Sequence, residues 1–260
     1  MKIIITSGGT SEKIDDVRRI TNASTGRLGG LIAHAFYKSS KDIQIYYVCS
    51  SHAYIPDIPN ISRLNVITIS DTASLLQELE HLLTTQKIDA VIHAMAVSDY
   101  YVKSVNTAES IADAIISQIA KLDANTDLYD TVLEAIVNTS ALDRHEKISS
   151  NHNNLMLSFA KNQKVIARIK KWQPSTTLVG FKLLNKVTET QLIDVGHNLL
   201  LKNNCDFVLA NDLQYVQKDA HIGFLINSHK SYTKFDTKEC IAEGIVSNVM
   251  NVIQKIGEGV

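Results

Sequence analysis

The sequence predicts an α/β protein with a mostly parallel sheet and helices on both faces. Short runs of β-branched residues, such as KIIIT at 2–6, alternate with amphipathic segments of helical period, and this alternation is typical of βαβ units. Glycine-rich turns separate several of the runs from the helices that follow them. The chain has 260 residues and is 45% hydrophobic, which is ordinary for a globular protein. We therefore expect one Rossmann-like domain over residues 1–260.

The N-terminal half predicts four strands and two helices in alternation. The strands are continuous apolar runs, as in strands that are buried on both faces, and the helices carry apolar residues three or four positions apart. Strands are predicted at 2–6, 42–51, 64–69 and 87–97, and helices from about 25 and over 71–85. Thr25 or Ser24 is placed to cap the first helix.

The middle of the chain interrupts this alternation, which then resumes. Residues 107–147 predict two helices with a polar junction, DANTD, and we interpret about 103–146 as a helical insertion. The elements predicted after it are a short strand and a basic amphipathic helix within 153–172, a strand at 176–184, a helix near 188–203, a strand at 205–212, an antiparallel hairpin at 221–235 and a helix from 237 to about 253. The NSHKS sequence is typical of the turn of that hairpin.

Charge and composition exclude several classes of protein. Lys and Arg number 26 against 27 Asp and Glu, so no basic excess attracts nucleic acid or acidic lipid. The MKIIIT start is too short for a signal peptide, and no window approaches the roughly 18 to 20 apolar residues of a membrane span. We therefore expect a soluble cytoplasmic protein. The nine histidines include no HExxH or paired-ligand spacing, and we expect no metal site built from side chains.

The three cysteines do not predict a redox or zinc site. Cys49, Cys205 and Cys240 are far apart, are odd in number and form no CxxC pair, which argues against a disulfide framework and against zinc. We expect all three to be reduced, structural thiols.

The SGGT turn at 7–10 is the first candidate for a ligand site. It follows the first predicted strand, and in open α/β sheets ligands bind beyond the carboxyl ends of the strands. Gly8 and Gly9 let backbone N–H groups approach an anion closely, which predicts a phosphate or nucleotide site. The alternative is that this glycine pair only makes a tight turn.

The well-known nucleotide fingerprints are incomplete in this chain. No GxGxxG follows the first strand, and no GxxxxGK[ST] is present. The second strand ends in CSS, where an NAD enzyme usually offers Asp or Glu to the ribose. An NADP-dependent Rossmann-type oxidoreductase and a non-catalytic nucleotide-binding protein therefore stay open as interpretations of the turn alone.

Five segments together resemble phosphopantothenate-cysteine ligase, a family of coenzyme A biosynthesis. They are TSGGTSEKIDDVRRITNASTGRLGG, HAMAVSDY, EKISS, VGFKLL and KNNCDFVLAND, in that order. The resemblance covers nearly the whole chain except the helical insertion. Because the first strand begins directly at Met1, the resemblance is to the stand-alone bacterial form. It implies a homodimer, for which the hairpin at 221–235 is a candidate contact.

The resemblance implies a ligase reaction in two steps. The carboxylate of 4'-phosphopantothenate attacks the α-phosphate of CTP, which is bound with Mg²⁺, and this step releases pyrophosphate and leaves an acyl-cytidylate. The amine of L-cysteine then displaces CMP. A carboxylate that meets a polyphosphate needs neutralising lysines, Mg²⁺ and backbone N–H donors. ATP in place of CTP, as in eukaryotic relatives, stays open.

The resemblance also assigns roles in catalysis and substrate binding. It implies that Asn22 hydrogen-bonds the acyl group, as a neutral donor that does not repel a carboxylate. It places Lys147 on a mobile strap, at about 145–160, that closes over the triphosphate. The residues that would hold the substrate's phosphate or pantothenate arm at a helix N-terminus are Arg18, Ser24 and Gly26. Taken alone, Asn22 is typical of a turn and Lys147 of an exposed lysine.

A further set of residues matches nucleotide-contacting positions of the family. They are His93, Ala94, Met95, Asp99, Asn162, Gln163, Lys164, Val165, Phe181, Asn198 and Lys202. Phe181 is expected near cytosine and Lys202 near the phosphates, although without the resemblance Asp99 is a loop carboxylate and Phe181 a core residue. Gln163 and Asn198 stand where the fused bacterial members usually have proline and lysine, so the triphosphate contacts and the preference for CTP stay open.

Overall fold

The chain forms two compact units, each of which is built from separate stretches of sequence. The structure is a computed structural model that describes residues 1–123, 126–216 and 221–258. The first unit, which we call the sheet unit, comprises Met1–Thr10, Asn22–Val97 and Lys164–Val260, and the second, the ribbon unit, comprises Ser11–Thr21 and Ser98–Gln163. The single domain over 1–260 stays a prediction, because two compact units can still fold as one cooperative domain.

The described residues form strands and helices with the following bounds. The strands are β1 (Lys2–Ser7), β2 (Ser11–Lys13), β3 (Arg19–Thr21), β4 (Gln44–Ser50), β5 (Leu64–Ile69), β6 (Ala90–His93), β7 (Tyr100–Thr107), β8 (Leu155–Lys161), β9 (Thr177–Leu184), β10 (Phe207–Val216), β11 (His221–Asn227) and β12 (Tyr232–Phe235). The helices are α1 (Arg27–Ser39), α2 (Thr72–Thr85), α3 (Ala108–Ile119), α4 (Leu128–Asn138), α5 (Ile166–Trp172), α6 (Glu189–Asn203) and α7 (Lys238–Glu258).

The sheet unit contains an eight-stranded, mostly parallel sheet. Its strand order is β12-β11-β10-β9-β6-β1-β4-β5, and only β11 and β12 pair antiparallel with their neighbours. In the centre, Ile4 of β1 lies opposite Tyr46 of β4 and Val91 of β6. The chain runs outward from β1 to β4 and β5 and then returns to the other side of β1 with β6. The strand order therefore reverses between β1 and β6, where this class of sheet binds its ligands.

Helices cover both faces of this sheet, as predicted. Alternate residues of a strand point to opposite faces, so Ile3 and Ile5 pack in one core with α1 and α7, while Ile4 packs in a second core with α2, α5 and α6. The predicted hairpin at 221–235 is formed by β11 and β12. The Rossmann-like fold class is thus confirmed.

The ribbon unit combines two antiparallel ribbons with the two helices of the predicted insertion. β2 pairs with β3, and β7 pairs with β8. The predicted helices are present as α3 and α4, and part of their junction, at 124 and 125, lies outside the described residues. The core of the unit is small and consists mainly of Val102, Val105 and Ile148. Several apolar side chains of α3 and α4, such as Ile116 and Tyr129, are exposed.

Three local predictions differ from the structure. The fourth strand is shorter than 87–97, because β6 ends at His93 and the chain then follows a different path. β7 is not among the predicted strands: it runs from Tyr100 to Thr107 and so occupies the start of the predicted helical insertion at about 103–146. Capping of the first helix by Thr25 or Ser24 is wrong: α1 starts at Arg27, and its N-cap residue is Gly26, which has a left-handed φ of 72° and no side chain that could cap the helix.

The three cysteines are unpaired in the described chain, but their surroundings differ. Cys49 and Cys205 are buried, whereas Cys240 is exposed, so our expectation of a structural thiol does not describe its position. Burial raises the pKa of Cys205 to about 12. In the described ranges, no helix has both the length and the apolar character that crossing a bilayer requires.

Candidate functional site

The switch point of the sheet unit, which we define as residues 7–10 and 94–97, is held together by backbone hydrogen bonds. Beyond the ends of β1 and β6, Gly9 pairs with Ala96 in parallel. The Ala96 N–H donates to the Gly8 carbonyl oxygen at 2.9 Å, and the Thr10 N–H donates to the Ala96 oxygen at 3.1 Å. The ladder of the sheet thus continues into the loops, which gives a ligand a fixed platform.

Glycine is required at the turn for two separate reasons. Gly8 has a φ of 85°, a conformation that side chains disfavour. At Gly9 a side chain would collide with the backbone carbonyl of Asn22. The predicted glycine pair therefore makes the turn and also admits a neighbouring segment to the switch point.

Asn22 lies at the switch point through its backbone and its side chain. Its N–H donates to the Thr10 oxygen at 3.1 Å, and its Nδ2 donates to the Ala96 oxygen at 3.2 Å. An amide nitrogen carries two hydrogens, so a second one is left for a ligand oxygen. The predicted acyl-contacting residue is thus a positioned, half-buried hydrogen-bond donor.

The N-terminus of α1 begins beside the same turn. Ser7 Oγ donates to the Gly26 oxygen at 2.9 Å, and the Tyr47 hydroxyl lies 2.8 Å from Ser7 Oγ. Burial raises the pKa of Tyr47, so the phenol stays neutral. The first N–H groups of a helix have no intrahelical acceptor and carry partial positive charge. Gly26 and the half-buried Ser24 are therefore placed where an anion is stabilised.

The backbone N–H groups of Ala94 and Met95 both have acceptors within the sheet unit. The Ala94 N–H donates to the Ile92 oxygen at 3.1 Å, and the Met95 N–H donates to Thr6 Oγ1 at 3.2 Å. Because these donors are engaged within the protein, a ligand that leaves these bonds intact must supply a donor of its own. The exocyclic amino group of a nucleobase is such a donor.

The His93 side chain is buried beneath this segment and is neutral. Its Nδ1 lies 3.0 Å from Thr6 Oγ1, and only 7% of the residue is exposed. Burial disfavours the charged imidazolium and lowers the pKa of His93 to about 4. The imidazole thus acts as a fixed polar support for the loop.

The other predicted nucleotide residues of the sheet unit lie just before α5, on β9 and on α6. Val165 precedes α5, and its side chain is part of a core; Lys164, beside it, is exposed. Phe181 is half-buried and packs against the core of the α1 and α7 face. Asn198 and Lys202 are exposed and lie one turn apart on α6. The nucleotide roles of all five stay predictions.

In the ribbon unit, the structure brings two predicted residues together at the start of β7 and the end of β8. The Asn162 N–H donates to the Asp99 oxygen at 2.9 Å. Asn162 Nδ2 lies within hydrogen-bond distance of the Ser98 oxygen, at 3.1 Å, and of Glu12 Oε1, at 3.3 Å. Gln163 follows and is exposed. Asn162 therefore ties the two strands together in addition to any ligand role.

The predicted strap lysine lies next to a residue that is held by two charged side chains. Lys147 is exposed, whereas Ile148 is buried. Arg18 Nη2 donates to the Ile148 oxygen at 3.0 Å, and the Ile148 N–H donates to Asp15 Oδ2 at 3.1 Å. Arg18 also pairs with Asp15. The guanidinium that we expected at the substrate thus has partners inside the ribbon unit, and its substrate role stays a prediction.

Three residues that hold these segments are absent from our predicted set. Thr6 supports the loop after β6, Asp15 binds Ile148, and Arg144 donates to carbonyl oxygens of Ile14 and Val102 at 2.7 and 2.8 Å. The DxxR spacing of Asp15 and Arg18 is the one sequence signal that could have suggested a local ion pair. The partners of Thr6 and Arg144 are distant in sequence, so their roles need the fold.

No group of three or more His, Cys, Asp or Glu side chains converges as a metal site within residues 1–123, 126–216 and 221–258.

Comparisons with known proteins identify chains that are similar to this one in sequence and fold. The crystal structure of the DNA/pantothenate metabolism flavoprotein from Streptococcus pneumoniae is 31% identical, covers 97% of this chain and 99% of its own, and has a TM-score of 0.79. The coenzyme A biosynthesis bifunctional protein CoaBC of Thermococcus kodakarensis is 28% identical over 213 residues, which are 82% of this chain. These residues are 41% of that protein, so the chain spans less than half the length of this curated relative.

A more distant structure shows the same fold. A Cab2 variant in complex with phosphopantothenate-cysteine is 16% identical, covers 98% of this chain and 86% of its own, and has a TM-score of 0.67. The sequence pattern of the DNA/pantothenate metabolism flavoprotein C-terminal domain matches residues 1–142 and 105–253. The chain therefore belongs to the family of the DNA/pantothenate metabolism flavoprotein C-terminal domain.

Proposed function

We propose that the protein is a phosphopantothenate-cysteine ligase, which joins 4'-phosphopantothenate to L-cysteine through an acyl-cytidylate. The observation that carries this proposal is the position of Asn22, whose amide is fixed at the switch point by Thr10 and Ala96. Two comparisons support it: the Thermococcus kodakarensis relative is a protein of coenzyme A biosynthesis, and the Cab2 variant binds phosphopantothenate-cysteine.

In the first step, a carboxylate oxygen of 4'-phosphopantothenate attacks the α-phosphorus of CTP. The bond from that phosphorus to the bridging oxygen breaks, and pyrophosphate leaves with the electron pair. The free amide hydrogen of Asn22 binds the carboxylate and orients it without adding negative charge. The uncapped N-terminus of α1 holds the anionic arm of this substrate through its N–H groups.

In the second step, the amine of L-cysteine attacks the acyl carbon of the intermediate. The carbon–oxygen bond to the phosphate breaks, CMP leaves, and the amine loses a proton to give the amide. Negative charge develops on the acyl oxygen during the attack. The same Asn22 amide is a neutral donor that stabilises this charge.

The nucleotide is proposed to be CTP, and ATP is the alternative. The carbonyl oxygens of 93–95 accept hydrogen bonds, which suits the exocyclic amino group that both cytosine and adenine carry. Mg²⁺ is expected to arrive with the nucleotide, because phosphate oxygens are the ligands it prefers. Lys147 is assigned to the triphosphate, as the resemblance implies.

Two further properties stay predictions. The homodimer, with β11 and β12 as a candidate contact, is tested by sedimentation velocity of the intact chain, in which a monomer at micromolar concentration would contradict it. The cytoplasmic location is tested by fractionation of the source cells.

The experiment that tests the ligase proposal is the first half-reaction without cysteine. The protein is mixed with 4'-phosphopantothenate, Mg²⁺ and either CTP or ATP, and an acyl-nucleotide is sought by mass spectrometry. We expect the acyl-cytidylate, and its conversion to phosphopantothenoylcysteine and CMP when cysteine is added. Folded protein that forms neither adduct nor product with either nucleotide would overturn the proposal.

A pair of isosteric variants separates Asn22 from the rest of the surface. Asn22→Asp adds a negative charge beside the substrate carboxylate, and we expect acyl-nucleotide formation to fall by at least about 100-fold. The control is Asn65→Asp, an exposed position on the edge strand β5, which should react at the wild-type rate. Equal rates for both variants would remove Asn22 from the reaction.

A further inference from the structure

The Asp15 carboxylate is almost completely enclosed by hydrogen-bond donors of the ribbon unit. Oδ1 accepts from the N–H groups of Val17 and Arg18 at 2.9 and 2.7 Å. Oδ2 accepts from Arg18 Nε at 2.9 Å and from the Ile148 N–H at 3.1 Å. Only 1% of Asp15 is exposed, whereas the side chain of its neighbour Asp16 is 61% exposed. One buried carboxylate therefore joins a local turn to a segment 133 residues away.

Both backbone groups of Ile148 are held by this ion pair. Its N–H donates to Asp15, and its carbonyl oxygen accepts from Arg18. Its side chain is also buried, with Val102 and Val105. A residue held at its N–H, its oxygen and its side chain has little freedom in φ and ψ. The preceding residue, Lys147, therefore starts from a fixed point even though its own side chain is exposed.

A second arginine fixes the frame to which Asp15 belongs. Arg144 donates through Nε to the Ile14 oxygen and through Nη1 to the Val102 oxygen, and it also contacts the Lys13 oxygen. The residue before Asp15 and the strand that carries Val102 are thus joined by a side chain three residues before Lys147. The segment 144–148 is held at both ends, with Lys147 between them.

We propose that Asp15 is a positioning residue for Lys147 and that, with Arg18, it anchors the strap through the backbone of Ile148. We call Asp15, Arg18 and Ile148 the strap anchor. The anchor confines the volume that the Lys147 amine can sample and so pre-orients the amine for the nucleotide phosphates. The phosphate-binding role of Lys147 rests on the proposed function, whereas the anchor itself does not.

The charge state supports the anchor. The pKa of Asp15 is held well below its usual range, mainly by the hydrogen bond from the Arg18 side chain. The bonds from backbone N–H groups lower this pKa further. The carboxylate therefore stays ionised, and a charged acceptor makes stronger hydrogen bonds than a neutral one.

Asp15→Asn tests the anchor without removing the local turn. The variant keeps one oxygen for the N–H groups of Val17 and Arg18, but an NH₂ group replaces the second oxygen and cannot accept from Ile148. Asp16→Asn is the matched control, because Asp16 is exposed and contacts only Lys13 among the partners described for it. Both variants replace Asp by Asn, and the two positions are adjacent in the sequence.

The first readout is trypsin cleavage of the Lys147–Ile148 bond in the protein without ligands. A protease needs this segment to leave its place, and cleavage follows the population of the open form. We expect Asp15→Asn to be cut there at least about tenfold faster than wild type and Asp16→Asn to be cut at the wild-type rate. Unchanged cleavage in Asp15→Asn would overturn the anchor.

If Asp15→Asn does not fold, trypsin cleavage of the Lys147–Ile148 bond in Arg18→Lys gives a second test. Lysine keeps the charge but cannot donate to Asp15 and to the Ile148 oxygen in the geometry of a guanidinium. We expect faster cleavage after Lys147 here as well, with no change at tryptic sites of the sheet unit. Wild-type cleavage in this variant would also overturn the anchor.

The second readout separates positioning from a merely structural role. We expect Asp15→Asn to raise the KM for CTP at least about tenfold. In a Lys147→Ala background the same substitution should have no further effect, since coupled residues are not additive. Independent, multiplicative effects would show that Asp15 does not act through Lys147. If no ligase activity is found, the cleavage result still decides on the anchor, so the two failures are distinguishable.

Discussion

The switch point and the strap anchor hold their segments in opposite ways. At the switch point, backbone groups bond to backbone groups, as in the pair of bonds between Ala96 and the 8–10 turn. At the strap anchor, ionised side chains hold the backbone of a distant segment. A substitution can therefore remove few of the bonds at the switch point, whereas at the strap anchor the bonds depend on side chains that a substitution removes.

This difference follows from the size of the two cores. The sheet unit packs β1 between two large apolar clusters, so its loops inherit the order of the strands that they leave. The core of the ribbon unit is small, and burial of apolar area is the main stabilising contribution to a fold. Arginine and aspartate bonds to buried backbone groups supply order that this core cannot supply. A substitution should therefore lower stability in the ribbon unit by removing side-chain hydrogen bonds, and at the switch point by adding atoms that do not fit.

The largest effect is expected for Arg144→Ala, in the region held by side chains. The variant loses its three shortest hydrogen bonds, which go to the carbonyl oxygens of Ile14, Val102 and Lys13. At about 1 kcal/mol for each bond, the free energy of unfolding should fall by about 3 kcal/mol. Urea denaturation measures this loss. Arg19→Ala, which removes one exposed bond to the Ser11 oxygen, is the control, and an equal loss in both variants would contradict the comparison.

Gly9→Ala tests the region held by the backbone, where only an added atom should disturb the structure. The new methyl group meets the Asn22 carbonyl, and overpacking costs about 1 to 3 kcal/mol. We expect the free energy of unfolding to fall by about 2 kcal/mol and acyl-nucleotide formation to fall with it. Ala23→Ser adds one heavy atom at the neighbouring exposed position and should change neither quantity.

Acid should weaken the switch point before it weakens the strap anchor. The pKa of His93 is lowered from 6.5 to about 4, so between these values the unfolded chain binds more protons and stability falls as the pH falls. The pKa of Asp15 is lowered from 3.8, so its contribution is present above about that pH. From pH 7.5 to pH 5, His93 should cost about 2 kcal/mol.

His93→Asn measures this contribution. Asparagine keeps an acceptor for the Thr6 hydroxyl but does not titrate in this range. Between pH 7.5 and pH 5, the free energy of unfolding of the variant should fall by about 2 kcal/mol less than that of wild type. Parallel pH profiles of the two proteins, measured by urea denaturation, would rule out His93 as the source.

The smallest effect on stability is expected for Ser24→Ala. The N–H of residue 24, which donates to the Asn22 oxygen, is kept, so the free energy of unfolding should change by less than about 0.5 kcal/mol. If Ser24 holds the substrate phosphate, the KM for 4'-phosphopantothenate should rise severalfold in steady-state kinetics. A large loss of stability would instead show that this part of the loop depends on side chains.

Local patterns were sufficient to predict most of the sheet unit. The run LNVITI predicted the bounds of β5, Leu64–Ile69, because β-branched residues flanked by turn residues favour a strand over a helix. The predicted cap of α1 was wrong, because the chain enters this helix through a left-handed glycine instead of a side-chain cap. β7 was not predicted, because its pairing partner, β8, is some fifty residues away and local sequence does not show it.

The candidate sites differ in the same way. Gly8 and Gly9 were predictable, because a glycine pair after a buried strand is a local signal. The family resemblance supplied Asn22, which the structure places at the switch point. The roles of Asp15 and Arg144 were missed because Asp15 holds the N–H of Ile148, 133 residues away, and Arg144 binds the oxygen of Ile14, 130 residues away; without such partners a charged residue looks like solvated surface.

The separation between Asp15 and Ile148 also has a consequence for synthesis on the ribosome. The two residues are 133 positions apart, so at about 5–20 residues per second roughly 7 to 27 seconds pass before the second one is made. Arg18 is only three positions from Asp15, so it is made within about one second of Asp15 at the same rate. The ion pair of the strap anchor can therefore form early in synthesis, whereas its bonds to the backbone of Ile148 must wait until that residue has been made.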